Sequence, residues 1–319
     1  MGKLVDGKWL TSQEMRDQDI DESKISGGVT GWLVAEGEEA PAGHKAFPAE
    51  KDRYILYISL GCPFASRAAM AYQLKGLDQV MDLVIVNPKQ TEKGWSFAKG
   101  DRVDKDPVMD ADYLHEIFIH ADPNYTGPVT VPLLYDKKTE QIVSTESVDL
   151  VKMFDTAFAK MLPDTISLYP EGQEEAIADA YQEMLQPVVF GVYAAERMDK
   201  QKKYENVVKR LFRKLDAFEE RLEKQAYLCG EYFTAADIFL FVTLIRFDAV
   251  YYTLFLCNLK QIKDYPHLLA WLKRIYNMDG IKETVDFNHI KELYYLNPED
   301  EERARIPLGP DMSYLDEEA

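Results

Sequence analysis

The sequence predicts an α/β domain followed by an all-helical domain, and two observations carry that expectation. First, two short apolar runs, Tyr54-Ile-Leu-Tyr-Ile58 and Met81-Asp-Leu-Val-Ile-Val86, flank a segment from Arg67 to Leu77 with apolar residues at helical spacing. This strand–helix–strand order indicates a βαβ unit. Second, strand texture vanishes from about residue 171, and amphipathic helical segments follow at 173–195, 199–224, 234–256, 266–278 and 288–295. Thr234-Ala-Ala-Asp237 opens the third of these with a hydroxyl at the N-cap and a carboxylate three residues on.

The connecting stretches fill in the order. Residues 87–125 read as a long connection that holds Trp95 and a helix over 112–120. Val129 to Tyr135 and Gln141 to Ser144 read as a β-hairpin across Asp136 to Glu140, and Ser147 to Phe158 as a helix. The expected division is an irregular extension over 1–50, the α/β domain over 51–158, the helical domain over 165–295 and an acidic tail over 296–319. The extension is rich in Gly, Asp and Glu, with turn signals at Gly27-Gly28 and Pro41-Ala-Gly43.

Composition narrows the function classes. The net charge of −18 opposes nucleic-acid binding. The basic cluster from Lys200 to Lys214 is punctuated by Glu205 and Asp216 and reads as a solvated helix face. No window holds 18 consecutive apolar residues, so no membrane span is expected. Met1 to Gln18 resembles neither a secretory signal nor a transit peptide, which points to a cytoplasmic setting. Three cysteines argue for a reducing compartment rather than a disulfide framework. The five histidines show no metal-ligand spacing, so no metal is expected. Gly2-Lys-Leu-Val-Asp-Gly7-Lys8 spells most of a phosphate-binding loop, but Trp9 stands where Ser or Thr would hold magnesium and no strand precedes it.

One constellation carries chemistry. Cys62-Pro63-Phe64-Ala65 lies between a buried strand and a helix. The first turn of a helix presents unpaired N–H groups and the positive end of the macrodipole, which favour a thiolate. Proline suits the first helical position, and Arg67 adds a positive charge one turn on. Ala65 stands where a dithiol redox protein carries its second cysteine, so a mixed disulfide on Cys62 requires an external thiol to resolve it. Cys229 and Cys257 lie in helical-domain texture, with no activating placement. Val131-Pro132 opens an apolar strand. In a thioredoxin-like domain a proline there is normally cis and exposes the preceding backbone to a bound peptide. Glu146-Ser147 begins the next helix, where a ligand carboxylate is favoured and the Glu146 carboxylate can accept from an ammonium.

These residues resemble the glutathionyl-hydroquinone reductases, the Xi class of the glutathione transferases. The resemblance runs from about Gly31 to Tyr295. It is carried by Leu60-Gly-Cys-Pro-Phe-Ala-Ser-Arg67, Gly94-Trp-Ser-Phe97, Ala121-Asp-Pro-Asn-Tyr-Thr-Gly127, Val129-Thr-Val-Pro132 and Glu146-Ser147 in the first part of the chain. Ala235-Ala-Asp-Ile238, Arg246-Phe-Asp-Ala-Val-Tyr251, Cys257-Asn-Leu259, Asp264-Tyr-Pro266 and Thr284-Val-Asp-Phe-Asn-His-Ile-Lys291 continue it. It implies a thioredoxin-like N-terminal domain with an all-helical glutathione-transferase C-terminal domain, in a homodimer. It further implies Cys62 as the catalytic thiol and a glutathione site lined by Trp95, Val131, Glu146 and Ser147. Tyr193, Tyr251 and Tyr294 match positions that line the site for an aromatic glutathionyl conjugate. The implied reaction is glutathione-dependent reduction of S-glutathionyl-hydroquinones. Other cysteine-type activities, on mixed disulfides or dehydroascorbate, and a non-catalytic binding role remain open alternatives. Phe64 and Ser66 stand for the family's usual Trp and His, and Pro128 for the usual basic residue before Val-Thr-Val-Pro. The tail after Tyr295 also diverges.

Overall fold

The computed structural model describes residues 2–21, 23, 25, 27–296 and 305–316. The Glu-rich stretch 299–302 of the acidic tail lies outside these. The chain divides into two compact units, one of residues 1–165 with 288–305 and one of residues 166–287 with 306–319.

The first unit is built on a four-stranded mixed sheet. Its strands are β5 (Tyr54–Ile58), β6 (Asp82–Ile85), β7 (Leu133–Asp136) and β8 (Gln141–Ser144), in the order β6-β5-β7-β8. β5 pairs parallel with β6 and antiparallel with β7, so the fully buried Tyr54-Ile-Leu-Tyr-Ile58 run is the central strand. The β5–β6 crossover contains α2 (Pro63–Leu74), as the βαβ reading requires. That helix begins four residues earlier than its apolar spacing suggests, because Pro63 occupies its first turn. β7 begins at Leu133 rather than Val129, since Pro132 offers no N–H to the ladder. α3 (Leu114–Ala121) and α4 (Ser147–Thr156) complete the unit, joined from Asn288 by the last helix, α10 (Phe287–Tyr295). Arg53 clamps the end of the sheet, donating from Nε to Asp136 Oδ1 at 2.8 Å and from Nη2 to Oδ2 at 2.5 Å.

Residues 1–50 correct the expectation of an irregular extension. They hold the hairpin β1 (Lys3–Val5) and β2 (Lys8–Leu10), the helix α1 (Ser12–Asp17), and the parallel pair β3 (Trp32–Val34) and β4 (Ala46–Pro48). The glycine of the false phosphate-binding loop has a local explanation. Gly7 sits at φ +73 in the turn between β1 and β2.

The second unit is helical: α5 (Glu174–Met184), α6 (Gly191–Glu196), α7 (Gln201–Leu222), α8 (Ala235–Leu244) and α9 (Pro266–Tyr276). Thr234 and Asp237 form the expected reciprocal cap on α8. The buried Asp237 also accepts from Leu228 N at 3.0 Å and from Trp271 Nε1 at 2.9 Å, which ties α8 to α9. Two π-turns interrupt helices read as regular, at Leu185–Val189 and Phe247–Tyr251. Among the described residues no helix is long and apolar enough to cross a membrane.

Candidate active site

Cys62 is the N-cap of α2, in extended conformation, with Pro63 directly after it. Its backbone N–H donates to Ser59 O at 3.1 Å, and its carbonyl receives both the N–H and the hydroxyl of Ser66, at 2.9 and 3.0 Å. Ser66, which stands for the family's usual His, therefore turns back onto the cap. Cys62 is half-buried. Its sulfur lies 3.8 Å from Val131 O. The Val131-Pro132 peptide is cis, and β7 begins only at Leu133, so the Val131 backbone falls outside the sheet ladder beside the sulfur.

Gly61 fixes the approach of α10 to this loop. A Cβ on Gly61 would sit 2.7 Å from His289 O and 2.8 Å from Leu293 Cβ, so only glycine fits under that helix. His289 in turn contacts Asp101 O through Nε2 at 2.7 Å, which anchors α10 to the long connection. Tyr294, the next residue along α10, is half-buried.

The start of α4 forms the second half of the site. Glu146 is its N-cap and Ser147 its first residue. Glu146 is exposed, yet partial desolvation, with the Asp149 carboxylate behind it, pushes its carboxyl up from the ordinary range. Ser147 is buried and accepts from Arg67 Nη1 at 3.3 Å. Arg67 is itself 2% exposed, and its guanidinium lies over the Phe64 ring at 5.0 Å. It therefore couples the helix that begins at Cys62 to the helix that begins at Ser147. This link spans 80 residues of sequence, and no local pattern announces it.

Trp95 is buried in the same unit, at 4% exposure. Its carbonyl accepts from Leu114 N at 3.0 Å, and it follows a tight turn in which Gly94 has φ +82. Pro128, which replaces a basic residue of the family pattern, accepts at its carbonyl from Tyr125 OH at 3.1 Å. Of the expected residues, this unit brings Cys62 and Val131 into contact and places Glu146 and Ser147 together at one helix start.

The second unit brings together two of the expected tyrosines. Tyr193 OH and Tyr251 OH are 3.4 Å apart, with ring centroids at 5.9 Å. Phe255 packs against both, stacked on Tyr251 at 5.3 Å. Tyr251 is fully buried and Tyr193 half-buried. Each tyrosine lies at or just after a π-turn, a feature that often marks functional sites in helices. The other cysteines stay out of this chemistry. Burial pushes the Cys257 thiol up to about 12 and also raises that of Cys229.

Comparison with known proteins gives the family. Residues 61–157 match the glutathione S-transferase N-terminal domain and residues 201–274 the C-terminal domain. The chain is 39% identical to the glutathionyl-hydroquinone reductase YqjG of Escherichia coli K12, over 97% of this chain and 95% of that protein. It is 35% identical to the glutathionyl-hydroquinone reductase PcpF of Sphingobium chlorophenolicum, over 97% and 96%. Among solved structures, glutathione-bound YqjG superposes with a TM-score of 0.90 at 37% identity, covering 99% of this chain and 98% of that one. The Xi-class enzyme of Natrialba magadii gives 0.88 at 36% identity, covering 98% and 94%. The chain belongs to the Xi class of the glutathione transferases, the family of the glutathionyl-hydroquinone reductases, and is an enzyme of that kind.

Proposed function

We propose that the protein reduces S-glutathionyl-hydroquinones with glutathione through a thiolate at Cys62. The observation that carries this reading is the half-buried Cys62 at the start of α2, its sulfur 3.8 Å from the Val131 carbonyl. Dipoles of the first helical turn favour the anion there.

The tripeptide's cysteinyl backbone would pair with Val131, whose backbone the ladder leaves unused. Its γ-glutamyl end would meet Glu146 and Ser147 at the start of α4. Ser147 accepts from Arg67, and its own hydroxyl proton can be donated to a ligand carboxylate. Trp95 would back the wall of this site. The aromatic ring of the conjugate falls to Tyr193, Tyr251 and Tyr294, whose phenols can donate to and accept from hydroquinone oxygens.

In the first step the Cys62 thiolate attacks the sulfur of the conjugate. A sulfur–sulfur bond forms and the aryl carbon–sulfur bond breaks. The electron pair stays on the ring carbon, which takes a proton, and the hydroquinone leaves. In the second step a glutathione thiolate attacks the mixed disulfide, releases glutathione disulfide and restores Cys62. The expected setting is a cytoplasmic homodimer.

The test combines Cys62→Ala and Cys62→Ser with S-glutathionyl-menadione as substrate. Both variants should lose turnover, and wild type without added glutathione should accumulate one glutathionyl adduct on Cys62 by mass spectrometry. Substantial turnover by Cys62→Ala would remove the thiolate mechanism. Faster turnover of a simple glutathione mixed disulfide than of the aryl conjugate would favour the general thiol-transferase alternative.

A further inference from the structure

We infer that the described residues of the segment 2–31 brace the thiol site, and that Trp9 is the positioning residue of that brace. The inference rests on the glutathione site proposed above. This segment meets each of the three stretches expected to contact the tripeptide.

The first contact is to the turn before Trp95. Trp9 Nε1 donates to Glu92 O at 2.9 Å, and the indole stacks on His115 at 5.0 Å with an interplanar angle of 20°. Its six-membered ring lies against Gly94, where a Cβ would be 2.9 Å from Trp9 Cη2. The His115 ring nitrogen Nδ1 lies 3.0 Å from Lys93 O, so the stacked indole and imidazole meet two successive carbonyls of the turn. The turn itself closes through the Thr91–Gly94 backbone pair, at 2.9 and 3.1 Å, and through the Thr91 hydroxyl, which accepts from Lys93 N at 3.1 Å and donates to Gly94 O at 3.3 Å; these bonds all lie within four residues, so the placement of the turn depends on contacts from outside it.

The second contact is to the segment leading into Pro128 and Val131. Leu4 and Gly127 exchange both backbone hydrogen bonds at 3.0 Å, and Gly7 N donates to Tyr125 O at 3.0 Å. Asp6 N donates to Thr126 Oγ1 at 2.8 Å. A Cβ on Gly7 would fall 1.9 Å from Pro123 O, so this approach requires glycine. The third contact is to the start of α4. Thr145 N donates to Val29 O at 2.9 Å, and Val29 N to Thr145 Oγ1 at 3.1 Å. A Cβ on Gly28 would lie 2.5 Å from Glu146 Oε1. Between these contacts the segment is anchored by the Thr11–Glu14 cap, the fully buried Met15, and the bond from Lys3 Nζ to Ile25 O at 2.8 Å.

A binding site holds its ligand only when its walls are fixed to a fraction of an ångström. Three walls that meet one continuous segment are positioned together by it. Trp9 supplies a hydrogen bond, a stacking contact with His115 and shape to the turn before Trp95.

The experiment measures glutathione binding by calorimetry and steady-state kinetics on the full chain, for wild type, Trp9→Ala, Trp9→Phe and Phe158→Leu. The last removes buried volume beyond the end of α4 and controls for lost stability. Trp9→Ala should weaken glutathione binding by about ten-fold and raise its KM in parallel, with kcat at saturation within about two-fold. Trp9→Phe keeps the stacking and should lose about three-fold. Amide exchange in the ligand-free chain should show residues 91–95 losing protection in Trp9→Ala and not in Phe158→Leu. Unchanged glutathione affinity in Trp9→Ala, or unchanged exchange at 91–95, overturns the brace. Failure of the wild type to bind glutathione overturns the ligand assignment instead, and the exchange result still decides whether Trp9 holds the turn.

Discussion

Lys75 and Asp155 form an ion pair of 2.9 Å at the far ends of α2 and α4, with each side chain 5% exposed. The opposite ends of the same two helices present Cys62 and Glu146-Ser147. Lys75→Met deprives a buried carboxylate of this cation, and breaking such a pair costs about 3–5 kcal/mol. For a chain of this size that lowers Tm by about 4–7 °C. Adding Asp155→Leu removes the carboxylate as well and should recover part of the loss, because replacing a whole buried pair by apolar groups is close to neutral. Scanning calorimetry of the two single variants and the double variant measures the cycle, and glutathione KM reports whether the two helix starts stay in register. A loss below about 1 kcal/mol in Lys75→Met, the value of an exposed pair, would refute the claim that this pair is desolvated.

Three further outcomes are expected. Gly61→Ala places a methyl group against the His289 carbonyl and Leu293, and overpacking of that kind costs about 1–3 kcal/mol, read as a lower urea midpoint. At pH 7, iodoacetamide should label Cys62 and spare Cys257, whose thiol burial pushes up to about 12; equal labelling of the two in the folded chain, seen by peptide mapping, would contradict the site. Burial alone would push the Asp136 carboxyl up, but bonds from Arg53 and Thr139 hold it below its ordinary value. Its contribution to stability is therefore complete above about pH 4 and fades as pH falls further, so Asp136→Asn should flatten the acid limb of a urea-midpoint profile.

The parts of this fold legible in the sequence are those whose cause is local. The central strand over 54–58 is an unbroken apolar run, and the cap at Thr234 and Asp237 is spelled out within four residues. Cys62 could be placed at a helix start because Pro63 follows it. What escaped depends on distant partners. The three-residue strands of the first fifty residues carry no periodicity, and part of their support comes from bridges such as Leu4 with Gly127 and Thr30 with Ser144. The sequence pattern assigns the helix at 288–295 to the helical domain, but from Asn288 it groups with the first unit, where its backbone closes over Gly61. The reach of Arg67 to Ser147 likewise has no signal in either neighbourhood.

The π-turn at Leu185–Val189 fits one residue more into its stretch of helix than regular winding would. Deleting a single residue there would return the stretch to regular winding, and because the π-turn absorbs its extra residue locally, the helix beyond it would keep its angle about the axis. Tyr193 would stay on the side it shares with Tyr251, so the extra residue is a local widening of the backbone rather than a change of aim.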